Sequence, residues 1–124
     1  MSSHYVVYLN GGIQQWVAEE DVAYHAGIIQ KPTWLPLLDG TITDSPNRHL
    51  IGIEHAGFTG THWTEAMYLS DAWLCARACR RWHIVPGPDT IIGHYRIDSV
   101  NRARCPGNGV DLDRIIAMTK ELLA

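Results

Sequence analysis

The sequence carries no excess of basic residues. Ten Lys and Arg stand against thirteen Asp and Glu, a net charge of -3 over 124 residues. A nucleic-acid-binding domain is normally basic on one face, so charge gives no case for a nucleic-acid partner. No apolar run approaches the roughly 20 residues of a membrane span. Met1-Ser2-Ser3-His4 lacks the charged and apolar regions of a secretory signal, which predicts synthesis in the cytoplasm and export by a separate route. Repeats, linkers and low-complexity stretches are also absent, and the length fits one domain. Cysteine is scarce and odd in number, at three. Cys75 and Cys79 lie four apart in a helical pattern, which is poor disulfide geometry and predicts two packed thiols.

What is present reads as globular. Hydrophobic residues make up 46% and charged residues 19%, and a chain of this length buries roughly two-thirds of its unfolded surface. Residues 4–9 (HYVVYL), Asn10-Gly11-Gly12 and residues 13–17 (IQQWV) predict a β-hairpin. Glu19-Glu20-Asp21 predicts a short turn. Residues 27–47 hold Pro32, Pro36 and Pro46 and predict a long loop, a type often functional in small domains. Residues 50–54 (LIGIE) and 90–93 (TIIG) predict short strands. Apolar spacing predicts helices over 64–82 and 111–123. Strands before, between and after helices predict an α/β fold with a single mixed sheet flanked by helices.

The chemistry concentrates near the carboxyl end. His94 closes the run Ile91-Ile92-Gly93, and Cys105 follows eleven residues later in front of Pro106-Gly107. Imidazole and thiolate are both good zinc ligands, and a catalytic zinc needs three protein ligands plus a water. The third is not evident. His4 or His25 rotated inward, or a histidine from a second subunit, could supply it. A site with two donors could also bind zinc weakly, or not at all.

Four segments resemble the zinc-dependent N-acetylmuramoyl-L-alanine amidase family, which includes phage lysozyme-type amidases and peptidoglycan recognition proteins. They are Ser3-His4-Tyr5-Val6-Val7 with Asn10-Gly11-Gly12-Ile13, then Ala23-Tyr24-His25-Ala26-Gly27, then Ile51-Gly52-Ile53-Glu54, and last Gly93-His94 through Cys105-Pro106-Gly107 and Asp111. They stand in the family's order over nearly the whole chain. The family has an earlier strand that carries the first zinc histidine. This chain begins at the hairpin, so residues 1–124 are expected to form one amidase-like domain, N-terminally shortened.

The resemblance implies roles residue by residue. His94 and Cys105 match zinc ligands, and Zn2+ is the implied cofactor. Glu54 matches a general base, and the chemistry asks for one: amide hydrolysis needs a water deprotonated and a leaving amine protonated. The family places a cation before the cysteine, and Arg102 or Arg104 could steady an oxyanion there. His25 is expected at the substrate groove, and His4 as a buried hydrogen-bonded residue. Trp34, in the proline-containing loop, could stack on a sugar or simply pack the loop.

The implied activity is hydrolysis of the bond between N-acetylmuramic acid and L-alanine in peptidoglycan, on the cell wall or its fragments, whether in phage lysis as a bacteriolytic endolysin, wall remodelling or murein recycling. The rival expectation is a non-catalytic peptidoglycan- or muropeptide-binding module on the same fold. A sheet short of one strand would leave an edge through which a homodimer could form.

Overall fold

The computed structural model describes residues 2–58 and 60–124. The hairpin forms as its turn chemistry predicts. β1 (Tyr5–Val7) and β2 (Ile13–Gln15) pair antiparallel, with Tyr5 opposite Gln15 and Val7 opposite Ile13. Gly11 sits at φ +83°, and a Cβ there would come within 2.9 Å of the Ala66 carbonyl oxygen. Glycine therefore serves both the turn and the close packing of the hairpin on the long helix.

β3 (Ile53–His55) pairs parallel with β1 on its other side, giving the order β2-β1-β3. The result is a three-stranded mixed sheet with helices against it, in agreement with the expected fold class. The strand starts later than the sequence suggests. Residues 50–52 divide their backbone groups: the Leu50 carbonyl accepts from the His25 ring and the Gly52 amide donates to the His4 ring, while the Gly52 carbonyl accepts the His4 and Tyr5 amides.

Of the helices, α1 (Leu35–Leu38) is a single turn in the long loop, and α2 (Glu65–Trp82) and α3 (Leu112–Leu123) pack together. Thr64 caps α2 by accepting the Met67 amide, with Glu65 in the first turn and Arg80 and Arg81 in the last. That charge order suits the helix dipole. Asp111 caps α3 in the same way through the Arg114 amide. Tyr5 and Val7 of β1 bury against Met67 and Leu74 of α2, with Ile51, Ile53 and Trp63 at the margin. Cys79 is buried, Cys75 partly so, and both thiols are free. Burial pushes both thiols up, furthest for Cys75, where the Asp71 charge adds to it. They are packed, unreactive thiols, as expected.

Residues 90–93 do not form the expected strand. Among the described residues they have no ladder partner, and the backbone closes a turn on the Gly87 carbonyl instead. A 3-10 turn, His94–Arg96, follows. Among the described residues, no helix is long and apolar enough to cross a membrane.

Candidate active site

The cleft has a volume of about 710 Å³ and lies between β3 with the loop after it, residues 19–26 and 47–52, one face of α2 with the start of α3, and residues 84–106. Glu54, His25, His94, Arg104 and Cys105 all line it. Strand alternation explains Glu54. Its neighbours Ile53 and His55 turn inward, Ile53 onto the core and His55 onto Trp63 and Asp71, so Glu54 turns out, exposed.

His94 is held by one bond with a clear chemical meaning. Its Nε2 lies 2.6 Å from the Ala26 carbonyl oxygen. A carbonyl can only accept, so Nε2 carries the hydrogen and Nδ1 of the neutral ring keeps the lone pair. A metal-ligating histidine commonly ties its second nitrogen to a backbone carbonyl in this way. Gly93 makes the approach feasible, since a Cβ there would stand 2.5 Å from the Tyr95 ring and 2.7 Å from Pro106 Cδ.

Cys105 is half-buried in the loop after the 3-10 turn. Its amide donates to the Arg102 carbonyl at 3.0 Å, and its carbonyl accepts from the Tyr95 amide at 3.2 Å. Burial raises its thiol pKa, and the Glu54 charge raises it further. The Arg102 guanidinium and a backbone hydrogen bond from His94 work against that rise.

The other histidines divide cleanly. His4 is buried and commits both nitrogens: Nδ1 accepts the Gly52 amide at 3.0 Å, and Nε2 donates to the Asp21 carbonyl at 2.8 Å. It has no lone pair left for a metal, and its structural role agrees with expectation. His25 donates Nε2–H to the Leu50 carbonyl at 3.2 Å and keeps Nδ1 as an acceptor in the cleft. Burial lowers its pKa, with small contributions from His4 and His94. The ring is therefore a neutral acceptor above its ordinary value near 6.5, suited to a substrate N–H or O–H. A Cβ at position 52 would come within 2.5 Å of this ring, so Gly52 makes room for it.

Trp34 is placed elsewhere. It is 6% exposed and donates Nε1–H to the Asp89 carbonyl at 2.9 Å. Its ring packs the loop and offers no face to a sugar. Exposed aromatics at the cleft are Phe58, 91% accessible in the loop after β3, and Trp82 at the end of α2. Sequence reasoning also passed over Asn47, whose Oδ1 accepts from both the His25 and Ala26 amides. A single Asn beside a proline in a long loop carries no distinguishing local signal.

The donor chemistry suits zinc at two positions, His94 Nδ1 and Cys105 Sγ. Among the described residues, no group of three His, Cys, Asp or Glu is placed to hold a metal ion. The pair is thus one donor short of a three-ligand site.

Comparison with known proteins adds the family. The family model for N-acetylmuramoyl-L-alanine amidase matches residues 1–108. Among solved structures, the crystal structure of a selenomethionine AmpD derivative superposes with a TM-score of 0.76 at 25% identity, covering 94% of this chain. The present chain spans 58% of that one. No curated protein sequence matches.

Proposed function

We propose that this chain, which belongs to the N-acetylmuramoyl-L-alanine amidase family, hydrolyses the amide between N-acetylmuramic acid and L-alanine in peptidoglycan or its fragments. The observation that carries the reading is the convergence of Glu54, His94, Cys105 and Arg104 in one cleft. Glu54 takes the proton of the attacking water and returns it to the leaving amine, the two transfers that amide hydrolysis requires. Arg102 or Arg104 stabilises the oxyanion of the tetrahedral intermediate. His25 accepts a hydrogen bond from the substrate through Nδ1 and holds the carbonyl in line.

His94 Nδ1 and Cys105 Sγ would hold zinc, with the third donor from outside the described residues. When bound, zinc supplies Lewis-acid polarisation of the scissile carbonyl. The domain is read as residues 1–124. β2 and β3 form the two edges of the described sheet, and a second copy would add at one of them.

The test is incubation of the purified protein with a defined muropeptide and zinc, followed by mass spectrometry. Free stem peptide with an L-alanine amino terminus is the expected product, and its yield should collapse in Cys105→Ser. Binding of the muropeptide with no cleavage at any zinc concentration would replace the enzyme reading by that of a binding module.

A further inference from the structure

Two loops far apart in sequence meet at a short stretch of backbone beside His94. Asn47 Oδ1 accepts the His25 amide at 3.1 Å and the Ala26 amide at 2.8 Å. The carbonyl of the same Ala26 accepts His94 Nε2–H at 2.6 Å. Asn47 is itself fixed. It sits in the 3-10 turn Pro46–Arg48, with Pro46 buried and its own amide 3.3 Å from the Ser45 hydroxyl. Ala23 and Ala26 are buried, so water can replace the Asn47 oxygen only if this backbone moves. Gly27 follows at φ +63°, a conformation glycine adopts freely, and the turn there aims the Ala26 carbonyl at the ring.

We infer that Asn47 is a positioning residue for His94: it fixes the Ala26 backbone, whose carbonyl holds the Nε2–H and so keeps Nδ1 as the lone-pair nitrogen facing the cleft. Truncation of Asn47 leaves two amides unpaired. The 25–27 backbone then shifts to satisfy them, and the carbonyl moves off the ring. A free neutral imidazole exchanges between two tautomers, and only one of them offers Nδ1 as an acceptor. The tautomer claim stands on the geometry alone. Its use in holding a metal rests on the proposed function above.

The deciding experiment is a long-range proton–nitrogen spectrum of the metal-free protein above pH 8, with the His94 ring assigned by comparison with His94→Gln. The wild type should show one tautomer, with hydrogen on Nε2. Asn47→Ala should show both, and its affinity for zinc alone should fall roughly 10-fold, the scale seen when an outer-sphere partner is lost. Asn47→Asp, which keeps an oxygen for the two amides, should restore the single tautomer. If the alanine variant does not fold, Asn47→Ser is read in the same way. A single unchanged tautomer in the truncated variant, even one with a lowered melting temperature, would reduce Asn47 to a loop fastener and overturn the inference. Because this readout needs neither metal nor turnover, a failure of the amidase reading leaves it separately decidable.

Discussion

The molecule has two halves built on different principles. The hairpin, β3, α2 and α3 are joined by ladder bonds, helix caps and apolar packing around Met67 and Leu74. The cleft wall, residues 23–52 and 84–108, is joined by a few backbone bonds, such as those of the Thr33 and Trp34 amides to the Arg96 carbonyl, and by single ties from side chain to backbone. Trp34 reaches the Asp89 carbonyl, Arg96 the carbonyls of Pro88 and Thr33, Ser99 that of Lys31, and Asn47 the amides of His25 and Ala26. The first half spreads its stability over many replaceable contacts. The second places individual atoms, and each tie matters for what it aims.

The comparison predicts unequal responses to truncation. Met67→Ala should cost about 2–5 kcal/mol of global stability, because it opens a cavity in the packed half. Trp34→Ala removes a larger side chain, yet should lower the melt less and instead speed hydrogen exchange locally in residues 28–44 and 88–96. Equal losses of global stability would dissolve the distinction between the halves.

A smaller effect tests a buried carboxylate at the margin of the packed half. Glu19 is buried where residues 17–22 meet the end of α2, and takes hydrogen bonds from the Tyr5 hydroxyl and from Trp82 Nε1 at 2.8 Å. Burial alone would raise its carboxyl. The bonds from Tyr5 and Trp82, with the Arg81 charge, outweigh that and hold it below its ordinary 4.5. Burial and the same carboxylate push the Tyr5 phenol up to about 12. A carboxyl depressed in the folded state binds fewer protons there than in the unfolded state. Its contribution is therefore complete above about pH 4.5 and is lost as pH falls through the depressed value. Glu19→Gln should be less stable at pH 7 and lose less on acidification below pH 4.5. Parallel curves for the two proteins would remove Glu19 from the acid response.

What the sequence revealed follows the same division. The 64–82 and 111–123 helices were legible because periodic burial and capping residues are local signals, and Thr64 and Asp111 cap them as the pattern suggests. The Asn10-Gly11-Gly12 turn was legible for the same reason. The late start of β3 was not, because the groups that claim residues 50–52 come from His4 and His25, far away in sequence. Residues 90–93 have the composition of a strand but no neighbour to pair with. Trp34 in a loop could meet a ligand or pack the loop, and its bond to the Asp89 carbonyl, 55 positions away, goes with the second. His94, Cys105 and Glu54 were visible as residue types in a familiar order. Their convergence on one cleft was a three-dimensional fact.

The most direct test of the central claim is muropeptide hydrolysis by Glu54→Gln. Glu54 is exposed, so the substitution should leave the melting temperature unchanged. The account predicts that release of stem peptide falls roughly 100-fold or more, the scale of a lost general base. Release at the wild-type rate would contradict it and move the chemistry away from this cleft.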